Sequence, residues 1–486
     1  MTKTQKVFNG AILTVAMRWS DRLIGLVSMI ILARLLVPAD FGVVAMAALV
    51  VGFIDVLLDL GVSQALIHNK EAKKEDFDTA WSLRLVQATL AAGIIYFCAP
   101  LAASYFNNVL IIDVLHVMAI SVFIGGLENI GIINFQKEMD FGRDFKFFFY
   151  KRLSGFVVTL IIAILFQTFW AMVLGTLAGR IAGLILSYRM HPFRPQFSFA
   201  KIKEIWSFSQ WVLFKNIGAY FDASMDRLLV GKSLDAKTLG GYTVAGEVAS
   251  LPTTELLAPI GRVLFPAFVD TRHDPTAFAR RISLAIGVQS LVAIPACLGL
   301  MFVAPDLVYV LLGEKWMFVA PVIQVLAISN LIGALAHSCG YALLAIGKVK
   351  ILGLIAWFQA TLFIMIVYIV SLDLSISEFA QVRLIVVGVG SGLIIFVVLY
   401  QLPKLSIRDV FMPLIRPFIA AFLMLAALEA LYLIVSSFSP FMRLLSEIVV
   451  GGGVYVSFIY ILWMLSSRSD GAESYLVKNI LYKMKN

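Results

Sequence analysis

Stretches of about 20 mostly apolar residues recur along this chain, separated by short polar segments, and each is long enough to cross a bilayer as an α-helix. Fourteen are predicted, over residues 10–36, 41–67, 80–104, 110–135, 149–166, 170–188, 205–230, 239–265, 282–303, 319–346, 351–371, 380–401, 416–436 and 444–465. The pattern predicts an all-α integral membrane protein of about 14 transmembrane helices.

A duplication lies within the pattern. VLHVMAISVFIGGL, residues 114–127 of the fourth stretch, matches VIQVLAISNLIGAL, residues 322–335 of the tenth, at eight of fourteen positions and an offset of 208. RLLVPADFG, ending at Gly42, pairs with KSLDAKTLG, ending at Gly240, at an offset of 198. Six spans therefore repeat twice, and because six is even the two copies share one orientation, related by a two-fold axis along the membrane normal. The expected architecture is two six-helix lobes, 1–190 and 205–402, around a central cavity. A cytoplasmic linker over 191–204 joins them, two extra helices occupy 403–466, and 467–486 forms a cytoplasmic tail. Pro192 and Pro195 disfavour a helix through the linker, which is expected to act as a flexible tether.

Composition agrees with the pattern. The 486 residues are 60% hydrophobic and only 14% charged, with a mean hydropathy of +0.92, which excludes a soluble globular protein. The net charge of +9 would suggest nucleic acid in a soluble chain, but here its placement decides. Loop cations divide roughly 26 to 5 in favour of the side of Met1, which the positive-inside rule reads as both termini cytoplasmic. The first stretch is expected to be retained as a helix: it is too long for a signal peptide, is interrupted by charges and lacks a cleavage site. Cys98, Cys297 and Cys339 show no paired spacing and no disulfide pattern.

Lys and Arg residues inside the apolar stretches include Arg18, Arg22, Arg84, Arg180, Lys215, Arg227, Arg262 and Arg383. A cation facing lipid at mid-membrane costs about 2.5 to 3.5 kcal/mol, so these side chains are expected to line a watered, protein-walled interior with an anionic guest. Arg18, Asp21 and Arg22 share one face of the first helix, and two arginines sharing one aspartate leave a positive charge over. Arg22 lies about 18 Å along the helix from residue 10, near the bilayer centre. Arg180 and Lys215 reach similar depth; Arg18, Arg84 and Arg262 lie nearer the cytoplasm, and Arg227 and Arg383 nearer the far side. The result is a cationic path drawn from both lobes. A planar guanidinium fork matches phosphate oxygens, so a polyphosphate headgroup is the natural guest. The competing reading makes each cation one half of an ion pair between helices.

Acidic residues are buried as well: Asp55 and Asp59, and Asp222 and Asp226, each at i, i+4, together with Glu128, Glu247 and Glu255. Close carboxylates raise one another's affinity for protons, so Asp21, Asp55, Asp59, Asp222, Asp226, Glu247 and Glu255 are candidates for H+ or Na+ coupling or for neutralising the arginines. Pro252 and Pro259 mark a point where the eighth helix can bend or unwind. The segment QKEMDFGRDFKFFFYKR, residues 136–152, reads as a membrane-edge loop anchored to headgroups, and 474–486 as an amphipathic surface helix.

No catalytic or metal-binding constellation is present. GVGSG, residues 388–392, lies in a span with no preceding strand and reads as helix packing. There is no phosphate-binding loop for ATP, no H-E-x-x-H, and the five histidines are scattered. No cofactor is expected beyond a coupling ion.

LARLLVPADFG (32–42), DLGVSQALI (59–67), QKEMDFGR (136–143), RVLFPAF (262–268) and LLGEKW (311–316) resemble segments of polysaccharide-exporting flippases in the multidrug, oligosaccharidyl-lipid and polysaccharide superfamily, in particular the Wzx-type colanic acid exporter group. The resemblance implies flipping of an undecaprenyl-pyrophosphate-linked oligosaccharide across a bacterial cytoplasmic membrane by alternating access of two lobes. It also implies membrane lipids, and a polysaccharide polymerase with its chain-length machinery, as partners, with no nucleic acid and a monomeric chain. In related lipid flippases a charged cluster on the first helix matters for function, which points to Arg18, Asp21 and Arg22. A multidrug exporter of the same superfamily would favour a net acidic cavity for its cationic drugs. A membrane glycosyltransferase or ligase would need a large extramembrane domain or a clustered acidic loop, and no loop here exceeds about 20 residues.

Overall fold

Each of the fourteen predicted stretches is occupied by a helix or a pair of helices. The computed structural model describes residues 3–58, 66, 72–201, 210–256, 258–370, 374–466 and 471–475. In chain order the helices are α1 (Lys3–Leu35), α2 (Pro38–Leu58), α3 (Lys74–Phe106), α4 (Ile111–Gly126), α5 (Ile133–Lys137), α6 (Phe141–Phe166), α7 (Trp170–Met190) and α8 (Gln210–Ser233). There follow α9 (Ala236–Leu256), α10 (Ala258–Thr271), α11 (Pro275–Leu311), α12 (Ala320–Ala345), α13 (Val349–Val370), α14 (Ile376–Gln401), α15 (Ile407–Val435) and α16 (Pro440–Leu465).

Local chemistry sets the ends. The Asp274 side chain accepts from the amides of Thr276 and Ala277 ahead of Pro275 at the first position of α11, and Ser375 with Glu378, then Ser406 with Asp409, form capping boxes on α14 and α15. Asn107 and Gln167 close α3 and α6 in the left-handed conformation. Gly313 turns the chain after α11 at φ 101°, where a side chain would be strained.

Among the described residues, ten helices are long and apolar enough to cross a membrane, or eleven if α4 and the segment Ile130–Lys137, bent by 63° at a short break, count as one span. Three expected spans, α1, α8 and α9, fall outside that set. They carry Arg18, Asp21 and Arg22; Asp222, Asp226 and Arg227; and Glu247 and Glu255. α1 and α8 open the two halves of the duplication, so both halves begin on a charged helix. Lipid-facing surface elsewhere is apolar: Phe97, Leu101, Tyr368, Phe396 and Leu433 are among many large side chains left exposed.

The eighth span is covered by α9 and α10, on either side of residue 257, which lies outside the described residues, so the expected bend between Pro252 and Pro259 falls partly there. The fifth begins earlier than predicted, because Asp140 caps a helix that starts at Phe141. The expected membrane-edge loop over 136–152 is therefore largely helix. The tail is helical over residues 472–475, and 476–486 lie outside the described residues.

The chain divides by contacts into two units, residues 1–220 with 227–240, and residues 221–226 with 241–486. In the first, Leu32, Leu36, Ala163 and Ala171 pack α1 against α6 and α7, and Phe77, Trp81, Leu83, Ile130 and Ile133 form a second core around α3. Residues 193–198 are strapped along α3 rather than loose. The amides of Gln196 and Ser198 donate to Asp78 Oδ1 (2.8 Å) and Ser82 Oγ (2.9 Å), and Phe193 and Phe197 meet Phe77 and Trp81. This part of the expected tether is fixed because polar groups on α3 satisfy its backbone. In the second unit the two extra helices pack on α11: Ala293, Ile294 and Cys297 lie among Ala420, Met424, Leu428 and Tyr455, and Tyr455 donates to the Leu291 carbonyl at 3.0 Å.

One contact reproduces the duplication. A Cβ on Gly42 would lie 1.7 Å from the Ala236 carbonyl oxygen, and a Cβ on Gly240 would lie 2.0 Å from that of Pro38. Gly42 corresponds to Gly240 and Pro38 to Ala236 at the offset of 198, so the first turns of α2 and α9 cross through reciprocal contacts. Only glycine allows backbones this close.

Candidate functional site

Buried charge of the first unit gathers where α4 stops. Gly125 and Gly126 end the helix, and the chain passes through a turn at residues 127–129 before resuming over Ile130–Lys137. Asn129 holds the turn. Its amide donates to Ser187 Oγ (3.0 Å), its side chain accepts from Gly131 N (2.9 Å) and donates to the Phe193 carbonyl (2.7 Å).

This turn places Glu128, only 3% exposed, against cations from three helices. Arg84 of α3 approaches its carboxylate at 3.3 Å and donates to the Gly125 carbonyl at 2.9 Å. Lys151 of α6 bonds the other carboxylate oxygen directly. Arg180 of α7 packs on Gly125, its Nη1 2.9 Å from where a Cβ would stand, and has no carboxylate within ion-pair distance among the described residues. Gly183 makes room for Glu128 and the Lys151 stem, each within 2.8 Å of its Cβ position. Three cations surround one carboxylate, leaving two positive charges in excess. Such a cluster is costly inside a membrane unless it meets an anion.

Other predicted positions are engaged differently. Asp21 is not shared by Arg18 and Arg22 but pairs with Arg152 of α6 at 3.0 Å, because α1 packs along α6 and brings that cation nearer. Arg18 and Arg22 are half-buried on α1. Asp222 accepts from Arg383 of α14 at 3.1 Å, and the buried Asp226 accepts from Tyr242 of α9 at 3.0 Å. Asp222 thus takes the ion-pair role, tying α8 to α14, and Asp226 ties α8 to α9 through a hydrogen bond. Asp55 and Glu247 are exposed on α2 and α9, and Glu255 is half-buried. The side chains of Lys215 and Arg262, and all of Asp59, lie outside the described residues. Among the described residues no group of His, Cys, Asp and Glu could hold a metal ion.

Lys151 falls where the fifth apolar stretch overlaps the basic, aromatic segment 136–152, whose composition reads as a membrane edge and conceals it. The available signal is the N-cap residue Asp140 and the absence of proline between it and the end of the apolar run at Phe166. Gly125 and Gly183 could not be singled out among 34 glycines without the packing. His191, at the end of α7, accepts from the Phe193 amide through Nδ1 at 3.1 Å; burial lowers its pKa, opposed by the nearby Glu138 carboxylate.

Comparison with known proteins follows the same lines. The family described as polysaccharide biosynthesis protein matches residues 31–321, more than half of the chain. The chain belongs to this family. It is 27% identical over 450 residues to an uncharacterized membrane protein in the cps region of Klebsiella pneumoniae, covering 90% of this chain and 91% of that one. It is 26% identical to the lipopolysaccharide biosynthesis protein WzxC of Escherichia coli (strain K12), covering 70% of each. The structure of the lipid II flippase MurJ in an inward closed conformation superposes with a TM-score of 0.75 over 93% of this chain and 99% of that one, at 14% identity. The shared fold is an all-α, multi-pass membrane architecture.

Proposed function

We propose that this chain flips an undecaprenyl-pyrophosphate-linked oligosaccharide from the cytoplasmic to the outer leaflet of a bacterial inner membrane during assembly of a surface polysaccharide. The observation that carries the reading is the excess positive charge of Arg84, Lys151 and Arg180 around Glu128. Two guanidinium groups and an ammonium suit a pyrophosphate, whose charge must be lowered on its way through an apolar layer. Family membership and the relatives in polysaccharide biosynthesis support the same substrate class. A drug exporter for organic cations would place the opposite sign of charge in its interior.

In this reading the chain works by alternating access, with both termini cytoplasmic, and Arg18 and Arg22 of α1 contribute further contacts to the anion. Asp21, Asp55, Asp59, Asp222, Asp226, Glu247 and Glu255 are the coupling candidates for H+ or Na+, of which Asp21 and Asp222 pair with Arg152 and Arg383 and Asp226 accepts from Tyr242. A polysaccharide polymerase and its chain-length machinery are the expected consumers of the product. The test is transport in vesicles carrying the purified chain and a labelled lipid-linked oligosaccharide. R84Q and R180Q should each slow flipping about tenfold or more, the worth of one lost charge-assisted contact. Unchanged rates in both variants, or no flipping by the parent, would refute the proposal.

A further inference from the structure

The C-terminal unit holds a cavity of about 1120 Å³ between the start of α11, Lys404 in the connection after α14, the start of α15, the end of α16 and residues 471–475. That is above the roughly 300–1,000 Å³ of clefts for drug-sized ligands. By the topology that the positive-inside rule predicts, every helix end that frames it faces the cytoplasm. Its rim is basic. Arg280, Lys404 and Arg408 line it and have no carboxylate within ion-pair distance among the described residues, whereas Arg416 pairs with Glu473 at 2.9 Å. Asp409 is held by the amide and hydroxyl of Ser406. Four cations therefore face two carboxylates. The inner wall is different: Leu284, Met412, Ile415, Ile419 and Leu462 are apolar, and the lining runs along α11 from Thr276 to Gly287, about 16 Å towards the membrane interior.

A basic mouth over a deep apolar wall at the membrane edge matches the shape of a lipid: phosphate at the surface, acyl chain inward. A soluble anion would use the mouth and leave the apolar wall wet. We propose that this cavity binds an anionic phospholipid of the cytoplasmic leaflet, its phosphate held by Arg280, Lys404 and Arg408. The site is independent of the Glu128 cluster and does not rest on the flippase reading.

The test is binding of a fluorescent phosphatidylglycerol to the full chain in uncharged detergent, with the matching phosphatidylcholine probe and inorganic phosphate as controls. Phosphatidylglycerol should bind saturably, phosphatidylcholine should not, and inorganic phosphate should not displace the bound probe. The R280Q/K404Q/R408Q variant should bind about 100-fold more weakly, from the contribution each cation makes beside an anionic headgroup. All three side chains are solvent-exposed, so the variant should fold; should it not, R408Q against R408K gives the same comparison with one charge. Equal affinity for the two lipids, displacement by inorganic phosphate, or variant binding within about threefold of the parent would overturn the proposal.

Discussion

Replacing Glu128 by Gln keeps the volume of the side chain and removes the charge that Arg84 and Lys151 share, with Arg180 close by on Gly125. At an effective dielectric constant of about 20, a unit pair at the 3.3 Å of Arg84 is worth about 5 kcal/mol before desolvation. Lys151 is closer still. Removing one partner of a buried pair has a net cost of about 3–5 kcal/mol, because the remaining charge stays uncompensated. E128Q should therefore destabilise the chain by about that amount, measured as the shift in unfolding by tryptophan fluorescence in mixed detergent micelles. The double variant E128Q/K151Q removes one of the stranded cations and should recover part of the loss, with an interaction energy of at least about 1.5 kcal/mol. An E128Q variant within about 1 kcal/mol of the parent, or additive single effects, would show that the carboxylate does not hold the cluster.

R383Q should cost about 3–5 kcal/mol by leaving Asp222 uncompensated, with R383K recovering part of it; an unfolding midpoint equal to the parent's would contradict the ion-pair assignment. G42A and G240A each place a methyl group inside a backbone carbonyl and should destabilise by about 3 kcal/mol or more, read from thermostability in detergent. For His191, the folded pKa lies below the unfolded value of about 6.5, so its contribution is present above that pH and lost as pH falls through it. Between about pH 8 and 5.5 the parent should lose more stability than H191N, and equal losses would dissociate the imidazole from acid sensitivity. Single cysteines at Asn108, Ser375 and Ser439 should be labelled by an impermeant maleimide from outside the cell, and those at Lys73 and Lys348 only after lysis; one reversed site would break the topology.

The helices were legible in the sequence because a bilayer imposes both length and apolarity, and the duplication because the fourth and tenth spans kept their residues in register. The partners of the charges were not. Asp222 and Arg383 stand 161 residues apart, and no spacing rule connects α8 to α14. Asp21 was assigned to neighbours one turn away on its own helix, yet Arg152, on a helix that packs alongside, takes it. Lys151 was hidden for a related reason: its basic and aromatic neighbours describe a membrane edge, and only the cap at Asp140 reveals that the helix has already begun.

The crossing of α2 and α9 has a consequence for descent. Each glycine rests against the counterpart of its own neighbour, so the contact maps onto itself when the two copies are exchanged. That is the isologous geometry of a two-fold dimer. An ancestor of half this length would have met a second copy of itself through one patch, used twice, and any mutation there would have struck both contacts at once. Fusion of two such copies would relax that identity requirement without removing the steric one: the two positions could mutate separately, but each still closes the same crossing, so loss of either glycine opens it.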